Sequence, residues 1–165
     1  MDFMKSRILV LLPICLAIFS ACGSQKVKGR PPFVSIASLS IQDQSQETRF
    51  DVYNINEVEM VIDSVEVTVR VGDSELASHK GPLKLSIDPN TTEDITVSQR
   101  PEEHARQMLA ELETGVVASL PFSLKGRVHT RDDGYLEFEQ EGHLYPVPGR
   151  PGQFRSASSR TRGQR

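Results

Sequence analysis

The stretch Val65-Glu66-Val67-Thr68-Val69-Arg70-Val71 alternates strictly between valine and a polar residue. A period of two puts the four valines on one face of an extended chain and Glu66, Thr68 and Arg70 on the other. That is a half-buried strand, and full burial contributes about 1.5–3 kcal/mol per valine before entropy is counted. Gly72-Asp73 follows as a two-residue hairpin loop with glycine first. Pairing across it sets Arg70 against Glu75 and Val69 against Leu76, so charge and apolarity agree on one register.

A second hairpin reads the same way. Leu120, Phe122, Leu124 and Val128 share one face, as do Leu136 and Phe138. Asp132-Asp133-Gly134 suits a three-residue loop with glycine in the left-handed position. The register this predicts opposes Val128 to Phe138, Arg127 to Glu139 and Lys125 to Glu141. Slipping it by one residue would bring Val128 against a glutamate. Exposed pairs of this kind contribute under about 1 kcal/mol each and serve register more than stability.

Further strands are predicted at 33–41, 47–53, 83–87 and 94–98, with turn signals at Gly81-Pro82 and Pro89-Asn90. One segment breaks the alternation. Pro101 suits the first position of a helix, Glu102 and Glu103 its first turn, and Ala105, Met108, Leu109 and Leu112 fall on one helical face. Gly115 supplies the stop. The fold class is therefore all-β: an immunoglobulin-like or fibronectin-III-like antiparallel β-sandwich with one inserted α-helix at about 101–114.

A chain of 165 residues with 38% apolar and 25% charged content suits one such domain plus extensions. Residues 1–21 read as an export signal, with Lys5 and Arg7 ahead of the apolar run Ile8–Ala21. Fourteen helical residues span about 21 Å, short of the roughly 30 Å hydrocarbon core, and Pro13 weakens a spanning helix further. Phe19-Ser20-Ala21-Cys22 resembles the lipobox of bacterial lipoproteins, with Phe19 where leucine is usual. That resemblance implies a lipoprotein signal peptide over 1–21 and acylation of Cys22. Gly23 in the next position implies the periplasmic face of the outer membrane. At about 0.8 kcal/mol per buried CH2, two or three acyl chains hold a protein essentially permanently. Cys15 leaves with the leader, so the mature chain keeps no thiol for a disulfide, a nucleophile or a metal.

Charge divides the remainder. Residues 22–32 form a tether carrying Lys26, Lys28 and Arg30, and 33–146 the folded domain. Residues 147–165 are a Pro/Gly/Ser/Arg-rich tail, with Arg150, Arg155, Arg160, Arg162 and Arg165 and no acid. Composition predicts that this tail is disordered. Between Pro31 and Pro146, 21 acids face 9 bases, so a net charge of −3 for the whole chain conceals a body of −12 between basic ends. An acidic, exported body excludes nucleic acid as a partner. The expected partners are the membrane, through the lipid at Cys22, and an envelope protein or anionic surface.

The order of these elements resembles the late embryogenesis abundant group 2 family, also called the water-stress and hypersensitive-response domain. Phe50-Asp51-Val52-Tyr53-Asn54-Ile55-Asn56 is similar to the family strand leading into Asn-Pro-Asn, with Ile55 in place of proline. Residues 62–67 and 69–77 resemble its next hairpin, and 120–126 and 138–142 its closing strands. The similarity runs from about Pro32 to Gly142. It implies a β-sandwich with an extra helix, no catalytic residues, and an association with desiccation and stress tolerance.

Chemistry-bearing patterns are sparse. His79, His104, His129 and His143 stand no closer than 14 positions apart, which gives no paired metal-ligand spacing. His129 is expected on an exposed face opposite Glu137. Glu137, Glu139 and Glu141 alternate along one solvated face with Lys125 and Arg127 as partners. Asp132 and Asp133 lack the further oxygen ligands of a calcium loop. No Gly-x-Ser-x-Gly elbow or phosphate-binding glycine loop occurs. Asn54 and Asn56 are read as a structural turn motif, since asparagine amides bond their own backbone. The expectation is a non-enzyme with no cofactor and no metal, anchored in the bacterial cell envelope and protecting it under water stress. The alternative is an adaptor subunit that binds a partner protein through a sheet edge or the arginine tail. A third reading, a carrier of small ligands, needs an apolar cavity.

Overall fold

The Val65–Val71 alternation lies one strand in from the edge of one antiparallel sheet. The computed structural model describes residues 26–159, so the leader, Cys22 and Arg160, Arg162 and Arg165 lie outside the described residues. Eight strands follow in order: β1 (Phe33–Gln42), β2 (Ser45–Tyr53), β3 (Met60–Val71), β4 (Ser74–Ile87), β5 (Thr92–Gln99), β6 (Leu120–Thr130), β7 (Gly134–Pro146) and β8 (Gln153–Ser159). Helix α1 (Glu103–Glu113) is inserted between β5 and β6. The sheet order is β4-β3-β6-β7-β8-β1-β2-β5, and the sheet curls until its two edges, β4 and β5, approach each other as a nearly closed barrel.

The all-β class and the inserted helix match the pattern in the sequence. The two separate sheets of a sandwich are replaced by one continuous sheet, because β8 pairs with β7 along Glu141–Pro146 and also with β1 at Leu39 and Ser40. That strand corrects the expectation of a disordered tail from 147 onward. Phe154 is buried to 2% exposure, and its backbone pairs with strands far away in sequence. Local composition registers the glycines, prolines and serines around Phe154 but not the two unpaired strands waiting for it.

The first hairpin keeps Arg70 opposite Glu75, but Val69 pairs with Ala77. Leu76 is an extra residue there, and the bulge turns both Leu76 and Ala77 into the core. The second hairpin is shifted by two residues from the expected register. Val128 faces Leu136, Arg127 faces Glu137, Lys125 faces Glu139, and His129 faces Tyr135 rather than Glu137. A two-residue shift preserves the buried face, and it places Gly126 opposite Phe138. Helix α1 starts two residues later than expected, with Glu102 at its N-cap and Pro101 buried just before it. Ala105, Leu109 and Leu112 pack inward, Met108 lies partly buried against them, and Gly115 ends the helix at φ 77°.

Alternating strand directions give the barrel two distinct ends. One carries the connections 54–59, 88–91 and 131–133 together with the lead-in to β1. The other carries the connections 43–44, 72–73 and 147–152 and helix α1.

Candidate functional site

Asn54 leaves the inward-facing series Thr48, Phe50, Val52 at the end of β2 and is fully buried. Its Nδ2 donates to the carbonyls of Val58 (2.8 Å), Ile87 (3.0 Å) and Asp88 (3.3 Å). Its Oδ1 accepts from the Asn56 backbone N–H (2.9 Å) and from Asn56 Nδ2 (3.0 Å). Asn56, 1% exposed, passes the network on: its Oδ1 accepts the Arg30 N–H at 2.9 Å and its Nδ2 donates to the Arg30 carbonyl at 3.0 Å. Two carboxamides therefore join the β2–β3 turn, the end of β4 and the lead-in to β1. Buried amides satisfied this fully act as fixed structural joints, not as groups free to bind a ligand.

Carboxamides also stitch the barrel seam. The Gln99 side chain accepts the Ser78 N–H (2.8 Å) and donates to the Leu76 carbonyl (3.2 Å). It stands in for a peptide unit on the free edge of β4. Gln46 Nε2 donates to the same Leu76 carbonyl at 2.8 Å and to Thr48 Oγ1 at 3.0 Å. Sequence reading missed both glutamines, although the signal was present: Gln46 and Gln99 continue the inward parity of Thr48–Phe50 and Ile95–Val97. Behind the seam, between His79 and Ile95, an apolar void lined by Phe50, Val65, Val67 and Phe138 measures about 10 Å³. That is room for about one water molecule, too little for the ligand a carrier would hold.

The outer face is a lattice of exposed ion pairs. Arg127 grips Glu66 through Nε (3.0 Å) and Nη2 (2.9 Å), Lys80 approaches Glu66 at 3.4 Å, and Lys125 approaches Glu139 at 3.6 Å. The hydrogen bonds from Arg127 hold the Glu66 carboxyl below its ordinary range, with its charge and then Lys80 adding to the effect against partial desolvation. Glu103 is lowered in the same way by the Arg106 hydrogen bonds. Tyr135 packs against His129 at 4.7 Å between centroids, with the ring planes tilted by 49°, and lies under the Arg127 guanidinium at 5.3 Å. Glu66, Glu103 and Glu139 thus each have a cation beside them.

The structure keeps the histidines apart: His79 borders the void, His104 is on α1, His129 meets Tyr135, and His143 lies near Tyr145. Among the described residues, no group of three His, Cys, Asp or Glu side chains could hold a metal ion. Among the same residues, no helix is long and apolar enough to cross a membrane. Cys22 lies outside them.

The family model of the late embryogenesis abundant protein, group 2, matches residues 49–141, more than half of the chain. The chain belongs to this family. The matched span runs from β2 into β7 and takes in Asn54, Asn56, Gln99 and Gly126, whereas β1 and β8 fall outside it. Membership suggests a water-stress-related, non-enzymatic role, the class the sequence resemblance implies. No curated protein sequence matches the chain. Among solved structures, a protein from Archaeoglobus fulgidus is 13% identical with a TM-score of 0.45, covering 70% of this chain and 96% of its own. A Bordetella pertussis protein assigned as ApaA is 12% identical with a TM-score of 0.43, covering 73% and 98%.

Proposed function

We propose that this late embryogenesis abundant domain is a bacterial lipoprotein, acylated at Cys22 and held at the periplasmic face of the outer membrane, where it protects envelope components during desiccation or other water stress. The observation that carries the reading is the sequence Phe19-Ser20-Ala21-Cys22 at the end of a basic and then apolar leader, placed directly ahead of a domain of this family. The physical content is a hydrated surface of strongly acidic character, tied down near the bilayer and acting by excluded volume and weak contacts. Protection of this kind needs no reacting group.

The adaptor alternative has less behind it. The β4 edge carries Pro82 and a bulge at Lys84, which adopts φ 53°, and both devices discourage strand addition. The start of the arginine tail is already occupied as β8. Deleting the gene and drying the cells tests the leading reading: survival and envelope integrity should fall and recover with the wild-type gene but not with a Cys22→Ala copy. Unchanged survival of the deletion strain would overturn it.

A further inference from the structure

The lead-in to β1 is not a loose tether. Val27 and Glu57 exchange hydrogen bonds in both directions: the Val27 N–H donates to Glu57 Oε2 at 3.0 Å, and the Glu57 N–H donates to the Val27 carbonyl at 2.9 Å. Three residues on, Asn56 takes both backbone groups of Arg30, and Asn54 holds Asn56 in turn. Between these clamps Gly29 adopts φ 73° and passes the 131–133 turn so closely that a Cβ there would stand 3.3 Å from Asp133 Oδ1. The chain from Val27 onward is thus part of one end of the barrel.

Only Gly23, Ser24 and Gln25 separate Cys22 from Lys26. Four peptide steps reach at most about 14 Å even when fully extended. The 11-residue strand β6 is about 35 Å long at 3.3 Å per residue, more than twice that reach. We propose that the barrel end formed by the 54–59, 88–91 and 131–133 turns lies against the phospholipid headgroups, and that helix α1 and its neighbouring turns point away into the aqueous compartment. This rests on the lipid-anchor reading above. Charge favours the upright pose over a barrel lying on its side. The flanks present Glu137, Glu139 and Glu141 of β7 and Glu93 and Asp94 of β5; Lys125 and Arg127 offset part of the β7 row, and anionic headgroups repel the acidic surplus that is left. The proposed contact end mixes Lys26, Lys28, Arg30 and Arg131 with Glu57, Glu59, Asp88, Asp132 and Asp133. It therefore has neither strong attraction nor strong repulsion, and the short tether sets the distance. The helix-bearing end is then the surface open to periplasmic clients.

The test uses full-length lipidated protein in vesicles of phosphatidylethanolamine and phosphatidylglycerol containing a headgroup-linked quencher. Single Cys variants carry the fluorophore: Asp132→Cys at the proposed contact end and Asp73→Cys at the opposite end, both exposed turn positions. Quenching at position 132 should exceed that at 73 by at least three-fold and should persist at high salt, since a covalent tether is not screened. Equal quenching, or stronger quenching at 73, on vesicle-bound protein would overturn the orientation while leaving the anchor intact. Protein that stays free of the vesicles would overturn the anchor reading and the orientation with it.

Discussion

Gly126 on β6 lies directly opposite Phe138 on β7, and the phenyl ring covers the glycine so closely that a Cβ at 126 would stand 2.5 Å from the ring edge and closer still to the Glu66 carbonyl of β3. Gly142 repeats the arrangement with Phe122 at 2.8 Å and the Ala157 carbonyl at 2.6 Å. Each ring fills the volume a side chain would take, which covers otherwise bare backbone and fixes the register of the hairpin. It also accounts for the two-residue shift from the register expected of a loop at Asp132-Asp133-Gly134. The ring–glycine fit is decided in the core, whereas the glutamates can pair with Lys125 and Arg127 in either frame.

The first prediction follows. Gly126→Ala should destabilise the domain by about 1–3 kcal/mol, as overpacking does, because one of the two groups it meets is backbone and cannot swing aside. Phe138→Ala should cost about 3–5 kcal/mol by leaving a cavity. The double variant should lose less than the sum, since removing the ring relieves part of the clash. Urea denaturation with an unchanged m-value reads all three. Strict additivity would show that the ring and the glycine do not depend on each other.

Asn54 should be the most sensitive polar position in the domain. Asn54→Ala strands three carbonyl acceptors and the two Asn56 donors that its amide serves, with a cost of about 2–4 kcal/mol at the usual penalty for buried unsatisfied groups. Asn54→Asp should cost more at neutral pH, because it aims a carboxylate at those same carbonyls in a fully buried place. Its stability should partly recover toward low pH as that carboxyl takes up a proton. Thermal melts of the two variants across pH give the ranking, and an aspartate as stable as wild type at pH 7 would contradict this account.

What the sequence discloses and what it hides divide along physical lines. Periodicity is local, so the strands, the helix face of Ala105, Leu109 and Leu112, and the asparagine turn can all be read directly. Long-range partners are not local. Nothing around Phe154 announces that β7 and β1 both lack a neighbour there, and nothing around Lys26–Arg30 announces that Glu57 and Asn56 will hold it. Even so, Gln46 and Gln99 sit where alternation demands an apolar residue, and a polar residue on the buried parity is the visible trace of a seam that backbone pairing leaves open.

The Glu66–Arg127 pair predicts a small pH dependence with a definite sign. Hydrogen bonding from Arg127 lowers the Glu66 pKa in the folded protein below its ordinary 4.5. Folding therefore favours the carboxylate, and the contribution is present in full above pH 4.5 and lost as pH falls through the lower folded value. Glu66→Gln should reduce the urea midpoint slightly at pH 7, and the difference from wild type should shrink as the pH is taken down below 4.5. Salt should shrink it too, because the pair is exposed. A gap that widens on acidification would reverse the assignment.

The last prediction separates the two halves of the basic tail. Ending the chain after Ser159 removes Arg160, Arg162 and Arg165 and leaves every β8 pairing in place, so stability should change by less than about 0.5 kcal/mol, as for ordinary surface changes. Ending it after Gly152 strips Phe154 from the core and opens the backbone edges of β7 along Glu141–Pro146 and of β1 at Leu39 and Ser40. Phe154→Ala alone should cost about 3–5 kcal/mol, and the longer truncation more, because it adds two unpaired edges to the cavity. The shortened chain should also aggregate, since an exposed strand edge templates pairing with another copy. Circular dichroism and light scattering on the two truncations decide the matter: a chain ending at Gly152 that stays folded and monomeric would show that β8 is dispensable and that the barrel closes without it.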